Sequence, residues 1–236
     1  MKLREVITLL SQGELASVNL GGVAEQGVHP VHYPMIVNHL NLGLTDLHSR
    51  FNLKVKELYL QLVEPINVYT LHSKYRYYNT TSTEPVKYII DSPEEEFKDD
   101  LLSIIAVYDS AGGLIDLNSS RGNRVVFTPR YDQLQVPYYT NGELMSVAYR
   151  AMPEKLLWVD EGQSMDQVID LPHSLIQALL LYVGYKVYGS KLDVDSVGKS
   201  NLYYQQYELS CMQSMNQGLV LPNGFANFKL EQNGWV

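Results

Sequence analysis

The sequence predicts an α+β protein: a helical bundle built from N- and C-terminal helices, with an antiparallel β domain inserted between them. Three observations carry this. Apolar residues recur at helical spacing towards both ends of the chain, in Leu3, Val6, Ile7 and Leu10 and again in Leu175, Leu179 and Val183. Between them, short β-branched or aromatic runs are punctuated by Gly, Pro, Asn and Asp. Neither helical pair can bury its stripe alone, so the two ends of the chain must pack together.

The first helix is expected to stop at Gly13. A loop with Gly21, Gly22, Gly27 and Pro30 leads to a second helix opened by Pro34, where the missing amide costs nothing. Its stripe is Ile36, Leu40, Leu44, Leu47 and Phe51, with Asn38, Asn41, Asp46 and Arg50 on other faces. From Lys54 the period changes to two, as Leu58, Leu60 and Leu62 alternate with Tyr59, Gln61 and Val63. Further strands are expected over 68–71, 101–108, 114–117, 125–129, 134–139 and 144–150. Residues 109–113 read as a hairpin connection, and Asn141 with Gly142 as the clearest hairpin turn, because glycine permits positive φ. Residues 74–83 read as an exposed, Tyr-rich excursion, and 94–100 as a solvated acidic turn.

Asp170 is expected to cap a third helix, with Pro172 in its first turn. After Gly189 and Ser190 a last helix keeps the stripe Val197, Tyr204, Cys211 and Met215, with Tyr207 beside it. The domains expected are therefore 1–53 with 168–218 as the bundle, 54–167 as the β insertion, and 219–236 as an extended C-terminal tail. Leu221, Pro222, Phe225, Phe228, Leu230 and Trp235 make that tail too apolar for a free end. They are the expected partner interface, since aromatic anchors supply much of the energy of binding. Packing on the chain's own β domain is the alternative, and the loop 15–31 is a second candidate contact.

The formal net charge of −8 argues against a protein that grips DNA through its phosphates. Tyrosine (18) far outnumbers phenylalanine (5), which suits both strands and wet subunit boundaries. A single cysteine, Cys211, excludes a disulfide framework within the chain and reads as core. The charged start and the lack of a long apolar run give no sign of a signal peptide or a membrane span. Asn79 and Asn118 stand in glycosylation sequons and read as turn residues.

No residue pattern demands catalysis. His29 and His32 flank Pro30 and lack further ligands. His39, His48 and His173 read as surface or capping histidines, and no serine sits in a nucleophile elbow. Gly21–Gly22 and Gly112–Gly113 are followed by no Lys-Ser or Lys-Thr pair, so neither is a phosphate loop. The acidic run 94–100 lacks the alternating ligands of a calcium loop. No metal, cofactor or catalytic residue is expected.

The order of elements, the stretch Tyr33-Pro34-Met35-Ile36-Val37-Asn38-His39-Leu40, the Ile169-Asp170-Leu171-Pro172 opening and the closing Tyr203-Tyr204-Gln205-Gln206-Tyr207 helix resemble the head-to-tail connector (adaptor) proteins of tailed, short-tailed bacteriophages. The resemblance implies a structural virion protein and no enzyme. It would form a homo-oligomeric, dodecameric ring between the portal protein and the tail nozzle or tube protein. That ring would extend the channel through which genomic DNA passes without sequence-specific binding. The implied location is the virion neck, after synthesis in the host bacterial cytoplasm, with no membrane partner. The rival readings are another tail component, such as a tail completion or terminator protein, and a carbohydrate-binding β module bearing Tyr138 and Tyr139.

Overall fold

The computed structural model describes residues 1–18, 28–91, 96–119, 125–138, 140–191, 193–216 and 218. Among them the chain is α+β, with helices at both ends flanking an antiparallel β region, as the sequence predicts. It divides into two compact units, 1–53 with 153–236 and 54–152.

The helical unit begins with α1 (Leu3–Gln12), whose four predicted stripe residues are all buried. Gly13 ends it, its N–H bonding to the Leu9 carbonyl at 2.8 Å. Helix α2 (Tyr33–Arg50) starts one residue before Pro34 and buries Ile36, Leu40, Leu44 and Leu47. A short helix, α3 (Glu161–Ser164), is capped by Asp160, whose carboxylate accepts the Gln163 N–H at 2.7 Å. Helix α4 (His173–Gly189) is apolar all round and is buried on nearly every side, with α1, α2 and the long α5 (Val194–Asn216) packed around it. The expected one-sided face of α4 is thus a full cylinder. Asp170 does not cap α4: Pro172 occupies that position without a side-chain bond, and the Leu175 N–H reaches its carbonyl at 2.9 Å.

The second boundary between the units falls after Met152, earlier than the expected 167. Hydrogen bonding explains the difference. The main chain of 165–169 bonds to the start of the chain, with Leu3 N–H to the Gln167 carbonyl at 2.9 Å and Ile169 N–H to the Met1 carbonyl at 2.7 Å. The Asn41 side chain clamps Leu156 through both its N–H and its carbonyl, each at 2.9 Å. Nothing in the hydropathy of 153–167 announces these polar ties.

In the β unit a five-stranded sheet runs β3-β1-β7-β4-β5, all antiparallel. Its strands are β1 (Val55–Gln61), β3 (Ile89–Ile90), β4 (Leu101–Tyr108), β5 (Leu114–Ile115) and β7 (Leu144–Ala151). A second, two-stranded sheet pairs β2 (Val68–Thr70) with β6 (Gln133–Gln135). The alternation in β1 places Leu58 and Leu60 in the core with Val147 and Tyr149, while Tyr59 points outward. Gly112 takes φ +82° in the β4–β5 turn, as expected there.

Several local assignments change. Gly142 does adopt φ +84°, yet the strands on either side of it do not pair: β6 joins β2 and β7 joins β1 and β4. The expected strand at 125–129 is reduced to isolated bridges at Val126 and Phe127. The excursion 74–83 is only partly exposed. Tyr75 stacks on Tyr88 with ring centres 4.7 Å apart, and Arg76 reaches Asp91 at 2.5 Å and Glu96 at 2.6 Å. Glu96, Asp99 and Asp100 of the acidic run are likewise engaged, the last two with Ser73 and with Lys56.

Candidate functional site

The expected interface residues Leu221, Pro222, Phe225, Phe228, Leu230 and Trp235 all lie outside the described residues, as do Gly21 and Gly22. The described part of the loop 15–31 is anchored at its ends, since Leu15, Val18 and Val28 are buried. His29 caps a single 3-10 turn through Nδ1, and His173 is the first residue of α4. Cys211 is buried, and burial pushes its thiol pKa up. Among the described residues no three His, Cys, Asp or Glu side chains converge as a metal site would require.

The structure does single out α5. Its inner face joins small residues to part of the apolar stripe that the sequence predicts, Cys211 and Met215 with Tyr207 beside them. Ser196, Ser200 and Ser214 are buried there beside Tyr207 and Cys211, whereas Val197 and Tyr204 are exposed. Serine lets the helix axes approach: Ser200 sits against Gly189 and donates its hydroxyl to the Tyr185 carbonyl at 3.0 Å. Asp193 caps the helix by accepting the Ser196 N–H at 2.8 Å.

Aromatic and ionic contacts then fix α5 in rotation. Tyr207 meets Tyr182 edge to face with ring centres 5.3 Å apart, and Tyr188 stacks on Tyr203 at 5.5 Å. Arg50 forks onto Glu208 with both contacts at 2.8 Å, binds Asp46 at 2.7 Å and lies over the Tyr207 ring. The Tyr207 hydroxyl donates to Asp46. The bond from Arg50 holds the Glu208 carboxyl below the ordinary glutamate value. Burial first, and the Asp46 contact second, push the Tyr207 phenol up, so it stays a donor at neutral pH. On α2, burial and then Lys186 push His39 below the ordinary histidine value.

With its inner face so occupied, α5 turns Leu202, Leu209 and Met212 outward, at 52%, 58% and 55% exposure. Leu202 and Leu209 are seven residues apart, two turns along one line of the helix. From Asn201 to Asn216 every exposed residue is uncharged, in a chain of which 19% is charged. Such a face does chemistry only by desolvation: it gains by burying apolar surface and forfeits no hydrated charge when it does so. Periodicity reasoning missed it by assuming that the apolar positions face inward. The signal available was the lack of any charge at the outward-phase positions 201, 202, 205, 209, 212 and 216.

Comparison with known protein families and with curated proteins finds no match for this chain. No helix among the described residues is long and apolar enough to cross a membrane.

Proposed function

We propose that this chain is a structural subunit of a phage virion, a ring-forming adaptor between the portal and the tail. The observation that carries the reading is the outer face of α5 from Asn201 to Asn216, which is uncharged and bears an apolar line, on an otherwise acidic chain. A surface helix of a solitary protein normally carries charge on its solvent face. An outward apolar line at seven-residue spacing suits permanent burial against another protein. The net charge of −8 suits a channel wall that repels phosphates and lets DNA pass. Ring closure needs a heterologous contact, one patch on a different patch of the neighbour. Residues 219–236 add contact area on the portal or on a neighbouring subunit, and no step in this role needs catalysis, a metal or a cofactor.

The test is to mix the purified chain with capsids whose portals are open and to image them by negative stain. A collar of added density beneath the portal is the expected result. Capsids that leave the chain unbound at micromolar concentration would refute the adaptor reading. Density on isolated tail tubes, but not on portals, would reassign the chain as a tail terminator. One observation favours the carbohydrate reading, the 83% exposure of Tyr138. Glycan-array binding that disappears in Tyr138→Ala would support it.

A further inference from the structure

We infer that the outer face of α5 is the receptor for residues 219–236 of a second copy of this chain. The inference rests on the ring reading, and supplies the two unlike patches that a head-to-tail ring requires. The first patch is the line Leu202, Leu209 and Met212, more than half exposed, with uncharged exposed side chains from Asn201 onward and Lys199 at its N-terminal edge. The second is the segment that follows α5 in the sequence. It carries Phe225, Phe228 and Trp235, and its only charged side chains, Lys229 and Glu231, cancel. From Asn201 to Asn216 two uncharged faces bearing apolar anchors can meet without burying a charge, whereas a charged face would have to be desolvated at a cost.

Length agrees with the pairing. The eighteen residues 219–236, when extended, span about 60 Å. Helix α5, of 23 residues, is about 35 Å long. The segment can therefore bridge a gap between copies and still cover the helix from Met212 to Leu202. Aromatic side chains laid along a helix at two-turn spacing are the anchors expected of such a contact.

The test uses full-length chain with two new cysteines, Leu209→Cys and Phe228→Cys, under mild oxidation. A disulfide needs Cα atoms within about 7 Å, so it reports docking directly. The inference expects covalent ladders of dimers, trimers and higher species, lost when Leu202→Glu is added. Both changes on α5 are at exposed positions, so an unaltered helical signal by circular dichroism accompanies the loss. A monomer locked by an internal disulfide would overturn the inference, as would a ladder that survives Leu202→Glu. Portal-bound collars formed by a Leu202→Glu, Leu209→Glu variant would sink this contact and leave the adaptor reading standing. Ladders from a chain that ignores portals would do the reverse.

Discussion

At the scale of single residues, a polar network of Asp46, Arg50, Tyr207 and Glu208 ties α2 to α5. Tyr207→Phe keeps the ring contact with Tyr182 and removes only the hydroxyl bonded to Asp46. It should cost about 1–2 kcal/mol, read as a lowered denaturant midpoint at constant slope. Tyr207→Ala, which also empties a fully buried ring site, should cost about 3–5 kcal/mol. The Arg50–Glu208 pair sets a pH dependence of definite sign. Glu208 has a folded pKa below its unfolded one, because Arg50 bonds its charged form. Its contribution is therefore present above the ordinary glutamate value and disappears as pH falls through the lowered one. Glu208→Gln should flatten the acid limb of the stability curve, and its deficit relative to the parent should vanish at the acid end. An unchanged acid limb would mean that the pair adds nothing.

At the scale of elements, α4 is the axis and the other helices are fitted to it. Gly43 of α2 sits tight against α4: a Cβ there would stand 2.8 Å from Leu179 Cδ1 and 2.9 Å from Tyr182 Cδ1. Alanine would gain about 1 kcal/mol of helix propensity. Overpacking against the buried Leu179 should cost about 1–3 kcal/mol, so Gly43→Ala should lower the melting temperature. A stabilised variant would show that α2 can slide. The helices that pack by apolar side chains were legible in the sequence: the stripes of α1 and α2 are buried as the spacing predicts. Helix α5 was legible only in part: Cys211 and Tyr207 face inward as expected, but three serines share that face while Val197 and Tyr204 turn out. The alternation in β1 and the extent of β4 were legible for the same reason that α1 was. The partner of β6 was not, since Asn141 and Gly142 specify a turn but not which strands flank it in space. The outer face of α5 could have been noticed from its missing charges, whereas the expected interface residues from Leu221 to Trp235 fall outside the described residues.

At the scale of the whole molecule, the β unit is an insertion whose two ends meet. The Ala151 N–H bonds to the Lys54 carbonyl at 2.9 Å, and Val55 pairs with Arg150. Replacing 54–152 by a short Gly/Ser linker should therefore leave the helical unit folded, with its far-ultraviolet helical signal and a cooperative melt retained. Loss of both would show that the helical unit depends on the insert. The pairing of β1 with β7 also bears on the order of folding. Left open, a 99-residue excursion would charge the joining of α2 to α4 with about 4 kcal/mol of loop-closure entropy. Once β1 lies beside β7, the excursion is closed by contacts of its own, and α2 and α4 search for each other as near neighbours in the chain. Pulse-labelled hydrogen exchange should then find the amides of Leu58 and Val147 protected before those of Leu40 and Leu179, a chain that folds from its middle outward.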